Sequence, residues 1–424
     1  MYGKFGISEE LVNLSREVEK EVRDELDKIE RIREYNQLKV IKAMQDNGLS
    51  DTHFCGSTGY GYSDRGREVL DEVYADVFKA EKGLVRHQIV SGTHALSLVL
   101  FGLLRTKDEL LVITGKPYDT MEEVIGIRGE GMGSLSEFGV LYKQVDLKKD
   151  GSVDIDKVCQ VINEKTKVVM IQRSRGYEWR DSLSIDDIEY IVSCIKKKKN
   201  DVIVFVDNCY GEFVEKREPI EVGVDIVAGS LIKNPGGGLA LTGGYIVGKA
   251  ELVEKVAYRL TAPGIGNEIG ASLGNNRLMF QGLFLAPHIV SEAMKGAVFT
   301  AKMMEKIGVA TSPASTAKRS DIIQAMKFEN KEELIAFCQG IQKGSPVDSF
   351  VVPMPWDMPG YDNQVIMAAG TFVQGSSIEL SADAPIKEPY IVFMQGGLVY
   401  EHVKLGVMIA ISKLRKRSLG HGED

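Results

Sequence analysis

Two short stretches in the middle of the chain decide the fold: VFVDNCY at residues 204–210 and DIVAGSLIKNPGGG at residues 225–238. Each begins with an apolar, β-branched run that predicts a buried strand, and each ends in polar residues. The first strand delivers Asp207 to its carboxyl end, and the second delivers Ser230 and Lys233. Because ligands of parallel sheets bind at the carboxyl ends of the strands, we expect a carboxylate and an amine to meet there.

Similar apolar runs recur through the middle of the chain, separated by helix-length segments. They lie at 88–90, 109–114, 168–172 and 244–247. This alternation predicts an α/β fold with a mostly parallel sheet covered on both faces. Before it, residues 8–47 have an apolar residue every three or four positions and predict a helix or a helix pair.

From about Lys302 onward the apolar runs are shorter, and the strands and helices they indicate predict a smaller α+β domain. The predicted strands are 321–328, 349–352 and 377–379, and the predicted helices are 331–342 and 399–414. We therefore expect an N-terminal helical segment at 1–50, a large ligand-binding α/β domain at 51–300, and a small C-terminal α+β domain at 301–424.

Charge and composition exclude several classes of protein. The chain has 52 Lys and Arg against 60 Asp and Glu, a net charge of −8, which disfavours non-specific nucleic-acid binding. Five scattered cysteines have neither disulfide nor zinc spacing, and no cluster of carboxylates suggests a metal site. The first residues lack an apolar leader and no apolar run is long enough for a bilayer, so we expect a cytoplasmic protein without membrane contact.

Lys233 is the residue with the most informative surroundings. No other cation lies between Arg217 and Lys249, and a Gly-rich turn follows it. A desolvated lysine is expected to have a lowered pKa and can react with a carbonyl group. By propensity alone, Asp207 could equally be a helix cap and Lys233 an exposed loop residue.

The combination of these residues on neighbouring strands resembles the core of the fold type I pyridoxal-phosphate (PLP) enzymes. The resemblance implies that Asp207 pairs with the pyridine nitrogen of PLP, that Lys233 holds the cofactor covalently, and that Ser230 contacts its phosphate.

Two turns from a strand into a helix extend the resemblance. The stretch QIVSGTHAL at 88–96 predicts a phosphate cradle at a helix N-terminus, with Gly92, Thr93 and His94 beside the phosphate. His94 is equally consistent with a simple helix-start residue. At the next turn, Tyr118 matches the ring that stacks on the pyridine and can donate a proton, although a packed turn tyrosine is the alternative.

Longer segments resemble one branch of the cystathionine γ-synthase and methionine γ-lyase group, the branch called the methionine γ-lyase family or aluminium resistance proteins. These segments are 58–67, 206–213, 282–288 and 371–383. The resemblance implies a carbon–sulfur lyase that performs γ- or β-elimination on a sulfur amino acid such as methionine or cystathionine. The alternatives are another PLP reaction, such as γ-replacement or transamination, and a catalytically silent scaffold.

The resemblance also implies an oligomer with shared active sites, a homodimer or a homotetramer. In the parent group a Tyr and an Arg reach the phosphate of the neighbouring subunit, and Tyr60 or Tyr62 with Arg65 are the candidates here. The parent group binds the substrate carboxylate with a C-terminal Arg, but residues 376–390 contain none. Arg173 or Arg175 is the predicted replacement, with a surface charge as the alternative.

A nucleotide-binding protein is the competing class of function. The glycines of GEGMG at 129–133 and GGG at 236–238 are its only support. The first group does not stand between a strand and a helix of a βαβ unit, and neither group is followed by a phosphate-loop Lys-Ser/Thr pair. The sequence therefore favours the PLP enzyme.

Overall fold

The computed structural model describes residues 1–358 and 363–418. Near its N-terminus lie two helices, α1 (Glu9–Glu21) and α2 (Arg23–Asp46), so the predicted helix pair is confirmed. The Ser8 hydroxyl accepts a hydrogen bond from the Leu11 amide and caps α1. Among the described residues, no helix combines the length and apolar surface that a bilayer span requires.

A seven-stranded sheet with the strand order β1-β7-β6-β5-β4-β2-β3 forms the larger layer. Its strands are β1 (Lys82–Arg86), β2 (Glu109–Val112), β3 (Leu141–Gln144), β4 (Thr166–Gln172), β5 (Ile203–Asp207), β6 (Ile226–Ser230) and β7 (Gly244–Gly248). Strands β2 to β6 are parallel, whereas β7 is antiparallel to both of its neighbours. The predicted α/β fold with a mostly parallel sheet is confirmed.

Helices accompany the sheet and are α3 (Arg65–Phe78), α4 (Gly92–Leu103), α5 (Asp119–Ile125), α6 (Ile155–Val161), α7 (Ile185–Lys198) and α8 (Ala250–Leu260). Both faces of the sheet are buried. In β5, Val204 and Val206 join one apolar core, while Ile203 and Phe205 join another on the opposite face. This explains why the strand is a continuous apolar run in the sequence.

The predicted strand at 88–90 is wrong. Strand β1 ends at Arg86, and the chain turns from there into α4. Strand β1 was not predicted because its sequence begins with a lysine and ends with an arginine. Arg86 is nevertheless buried, because its guanidinium donates to Asp71 at 2.7 Å. Strand β3 was missed because it is an edge strand without an apolar run.

A second, antiparallel sheet has the strand order β10-β11-β12-β9-β8. Its strands are β8 (Ala310–Ser312), β9 (Gln324–Lys327), β10 (Val365–Ala369), β11 (Ser381–Pro385) and β12 (Ile391–Gln395). The remaining helices are α9 (Asn276–Lys306), α10 (Lys331–Lys343) and α11 (Tyr400–Ser418), and the last two confirm the predicted helices. The predicted strands at 349–352 and 377–379 are wrong, since both segments lie outside the strands of this sheet.

The division into parts at residues 50 and 300 stays a prediction, and α9 runs through position 300. The two sheets meet near the ends of the central strands. Tyr177, after β4, and Tyr210, after β5, pack against an apolar patch of the second sheet formed by Ile323, Ala325, Ile391 and Phe393. This junction positions the candidate site.

Candidate active site

The residues at the carboxyl ends of β4, β5 and β6 lie side by side. In the parallel register Gln172 is opposite Asp207, and Asp207 is opposite Ala228, two residues before Ser230. The Asp207 carboxylate is buried and accepts a hydrogen bond from the Cys209 amide at 3.1 Å. Lys233 follows in the turn after β6, partly buried. The structure thus brings Asp207, Ser230 and Lys233 together.

The Lys233 amine lies over an aromatic ring that sequence reasoning missed. Its Nζ atom is 4.0 Å from the ring centroid of Tyr210, which has a positive φ of 73°. A non-glycine residue in that region is uncommon and is often held there by the surrounding fold at functional sites. Tyr210 follows Asp207 by three residues, so the sequence could have indicated that it lies near the site. The sequence does not reveal the positive φ of Tyr210.

The pKa of Lys233 is shifted in the direction opposite to the lowered pKa expected from the sequence. Burial favours the neutral amine, but Cys209, Tyr210 and Asp207 favour the ammonium more strongly, so the pKa of Lys233 is raised. Burial also raises the pKa of Asp207, against the opposing charge of Lys233. The expectation failed because it considered desolvation without the acidic neighbours.

The start of α4, predicted to form a phosphate cradle, lies beside these residues. A Cβ atom added to Gly92 would lie 3.3 Å from the Cβ of Ser230 and 3.5 Å from the Cys209 sulfur, so the helix start approaches the end of β6 closely. The Ser230 hydroxyl is buried and has no hydrogen-bond partner. The first N–H groups of a helix are likewise not used by the helix itself. An anion bound here would satisfy both.

Thr93 and His94 have local partners at this helix start. The Thr93 hydroxyl is 2.9 Å from that of Thr120 and links the starts of α4 and α5. His94 Nδ1 accepts from the Val90 amide at 3.2 Å, and its own amide donates to the Ser91 hydroxyl. His94 therefore has the contacts of a helix-start residue, and its role toward a phosphate stays a prediction.

Tyr118 lies on a cleft of about 150 Å³ next to the junction of the two sheets. Its ring centroid is 6.3 Å from that of Tyr177, which in turn is 5.3 Å from that of Phe393. Arg175, Pro385 and Lys387 are among the other residues that line this cleft. The cleft therefore combines aromatic and cationic groups from both sheets.

The two arginines proposed for the substrate carboxylate have different surroundings. Arg173 is fully buried, and its guanidinium donates to the Asn208 side chain, the Gly211 carbonyl and Glu215. Arg175 is also fully buried at the edge of the cleft, and its Nη1 donates to Ser312. Its Nη2 lies 3.7 Å from Asp181 Oδ1, and neither Nε nor Nη2 has a hydrogen-bond partner. Of the two arginines, only Arg175 has guanidinium nitrogens without a hydrogen-bond partner.

The candidates for contact with a neighbouring subunit lie on the surface. Tyr60 and Tyr62 are 71% and 65% exposed, with ring centroids 5.6 Å apart, and Arg65 is also exposed. The buried guanidinium of Arg67 holds their loop by donating to the Gly61 carbonyl at 2.8 Å. The structure leaves the three side chains accessible, and their proposed role stays a prediction.

The described residues contain no group of three or more His, Cys, Asp or Glu that could hold a metal ion. They do contain a buried acid that sequence reasoning missed, Glu212. The Tyr245 hydroxyl donates to Glu212 Oε1 at 2.7 Å, whereas Oε2 has no partner, and burial raises the pKa of Glu212 to about 8. Nothing in the sequence distinguished this glutamate from a surface residue.

We expect Glu212 to make the protein less stable as the pH rises from 6 to 9. Its pKa is higher in the folded chain than in the unfolded chain, so its stabilising effect is fully present below pH 4.5 and is lost as pH rises through about 8. The loss over this range is at most about 3 kcal/mol, since one pKa unit corresponds to about 1.4 kcal/mol. In Glu212→Gln, which keeps an acceptor for Tyr245, urea midpoints at pH 6 and pH 9 should differ less than in the wild type. An equal pH dependence in both proteins would contradict this prediction.

Comparison with known proteins places these observations in context. A family profile described as methionine gamma-lyase matches residues 11–415. An uncharacterised Bacillus subtilis protein, YnbB, is 54% identical over 420 residues, 99% of this chain and 100% of that protein. A Listeria monocytogenes crystal structure, described as a candidate cystathionine beta-lyase involved in aluminium resistance, is 55% identical, with a TM-score of 0.94 over 95% of this chain and 99% of its own. One from Clostridium novyi, described as a carbon-sulfur lyase involved in aluminium resistance, is 52% identical, with a TM-score of 0.94 over 97% of each chain. The predicted family resemblance and fold are confirmed.

Proposed function

Because the chain belongs to the methionine gamma-lyase family, we propose that it is a PLP-dependent carbon–sulfur lyase acting on sulfur amino acids. The observation that carries the proposal is the meeting of three groups at neighbouring strand ends. These are the Lys233 amine, the buried Asp207 carboxylate, and the unpartnered Ser230 hydroxyl beside the start of α4. They correspond to the amine, the acid and the phosphate contact that a PLP enzyme requires.

The residues present fit the cofactor. The close approach of Gly92 to Ser230 leaves no side chain between the helix start and the strand end, as a phosphate cradle requires. Asp207 would face the ring nitrogen and Lys233 would hold the cofactor. Tyr118 would lie against the ring, with Thr93 and His94 near the phosphate.

In the proposed reaction, bound PLP supplies an electron sink for the negative charge that develops at Cα. Lys233 would remove the Cα proton as the neutral amine, after giving up the proton that its acidic neighbours favour. For γ-elimination a second proton would leave Cβ before the sulfur departs from Cγ. Asp207 would keep a proton on the ring nitrogen by its negative charge. The phenol of Tyr118 donates a proton to the departing sulfur. The Arg175 guanidinium, whose Nε and Nη2 make no hydrogen bond within the protein, would bind the substrate carboxylate, for which a guanidinium is geometrically suited.

The proposal extends to assembly and location. Exposed Tyr60, Tyr62 and Arg65 would contribute to the site of a neighbouring subunit, which requires a homodimer or a homotetramer. The protein would work in the cytoplasm, where its five cysteines stay reduced.

The test is to load purified protein with PLP, record its visible spectrum, and assay methionine and cystathionine for released keto acid. Release of 2-oxobutanoate from methionine would demonstrate γ-elimination, and pyruvate from cystathionine would demonstrate β-elimination. A visible cofactor band without keto acid from either compound would contradict the lyase reaction. Absence of a band would contradict the cofactor itself.

A further inference from the structure

The aromatic ring of Tyr210 contacts Lys233 and has no role in the proposed reaction. The Lys233 Nζ atom lies over the ring, 4.0 Å from its centroid. This distance is well inside the roughly 6 Å over which an aromatic ring attracts a cation. The face of a ring is electron-rich, so it attracts a positively charged nitrogen more strongly than a neutral amine. The contact therefore favours the charged form of Lys233.

The second sheet holds this ring in place. Tyr210 packs against the apolar patch described above, and its backbone is fixed in a turn with a φ of 73°. The ring is half-buried, so water is partly excluded from the contact. A cation over a ring is held more strongly when water is excluded than at an exposed site. The junction of the two sheets thus places a fixed ring under the Lys233 nitrogen.

Other titratable groups act on the same nitrogen. Burial favours the neutral amine, and acidic neighbours in the segment after β5 oppose burial. Burial raises the pKa of two further acids, and the charge of Lys233 opposes both rises. The groups are Asp207, Cys209 and Glu212 in β5 and the segment after it, and Asp383 in β11. A substitution confined to Tyr210 leaves all four in place and isolates the effect of the ring.

We propose that Tyr210 is a positioning residue that holds the Lys233 nitrogen at the strand ends and stabilises it whenever it carries a positive charge. The inference rests on the proposed function, in which the Lys233 nitrogen holds the cofactor and becomes positive when it takes the Cα proton. The ring, and not the phenol hydroxyl, supplies the stabilisation. Tyr210→Phe therefore keeps the effect, whereas an aliphatic side chain of similar bulk loses it.

The experiment titrates the visible band of the full-length, PLP-loaded protein from pH 6 to pH 10, since the band shifts when the nitrogen bonded to the cofactor loses its proton. The variants are Tyr210→Phe, Tyr210→Leu and, as a matched control, Tyr35→Leu, which removes an exposed ring with Lys216 Nζ 5.4 Å from its centroid. We expect Tyr210→Leu to lower the midpoint by about one pH unit, a tenfold weaker hold on the proton. Tyr210→Phe and Tyr35→Leu should stay within about 0.3 unit of the wild type.

An unchanged midpoint in Tyr210→Leu would overturn the inference. An equal shift in Tyr210→Phe would also overturn it, because the effect would then belong to the hydroxyl. Melting temperatures show whether each variant is folded, and Tyr210→Met replaces Tyr210→Leu if the latter does not fold. A ring-dependent midpoint without keto acid from any sulfur amino acid would contradict the lyase proposal and leave this inference intact.

If the wild type shows no band, the cofactor proposal fails and the cofactor-free protein decides the inference. Lys233 is then labelled with cyanate and, separately, with the larger trinitrobenzenesulfonate, both of which react with the neutral amine alone. Loss of the ring should speed both reagents by about tenfold in Tyr210→Leu, because more of the amine is neutral. Equal rates in wild type and variant would overturn the inference. Acceleration of the larger reagent alone would overturn it too, since a wider opening would explain that result.

Discussion

Lys233→Ala should abolish the activity, lowering kcat by at least ~10³-fold, which corresponds to about 4 kcal/mol of transition-state stabilisation. The variant removes the amine that would hold the cofactor and take the Cα proton, and no other lysine is found in the sequence between residues 217 and 249 to replace it. We also expect the visible band of the covalently held cofactor to disappear. The measurement is a spectrum of the PLP-loaded variant, followed by the keto-acid assay.

Two further variants make this result interpretable. Lys197→Ala removes an exposed lysine of α7 and should retain both band and activity. Lys233→Arg keeps a positive charge beside Tyr210 and Asp207 but cannot act as a neutral amine, so it should be inactive and stably folded. Wild-type turnover by Lys233→Ala would show that this residue is not the cofactor lysine.

The centre of the site was predictable because its chemistry is local in the sequence. Asp207 and Ser230 each end a continuous apolar strand, and Lys233 follows the second strand by three residues. Parallel strands in one sheet bring their carboxyl ends to one edge, so the pattern of two strands suffices to place the groups together. For Gly92 the reasoning was less accurate, because it placed a strand at 88–90, whereas β1 ends at Arg86 and Gly92 begins α4.

The second wall of the cleft was not predictable in this way. Pro385 ends β11 of the second sheet and Lys387 follows it, and nothing in their own segment indicates which face meets the large sheet. Arg173 and Arg175 are alike in the sequence, and they differ only in their partners: Asn208 and Glu215 for the first, Ser312 for the second. Tertiary packing makes these distinctions, and a single sequence does not carry that information.

The backbone strain at Tyr210 and the burial of Glu212 were also not predictable, because both depend on tertiary packing. The positive φ of Tyr210 and the buried position of Glu212 depend on how the segment after β5 folds back beneath β6 and β7. A glutamate or tyrosine in a polar stretch normally predicts solvent exposure. Their polar contacts come from residues later in the chain, Lys233 in the turn after β6 and Tyr245 in β7.

Asp207→Asn should lower kcat by ~10²–10³-fold, or about 3–4 kcal/mol, while the protein stays folded and loaded with PLP. The amide keeps an oxygen for the Cys209 amide, so the local structure is maintained, but it has no charge to hold a proton on the ring nitrogen. The proposed substrate contact is Arg175, which Asp207→Asn leaves in place, so KM should change far less than kcat. Asp207→Glu restores the charge with a longer side chain and should recover part of the activity, a rescue that loss of packing would not show. If Asp207→Asn turned over at the wild-type rate, the carboxylate would not be the partner of the cofactor ring, and its raised pKa would reflect burial beside Lys233 alone.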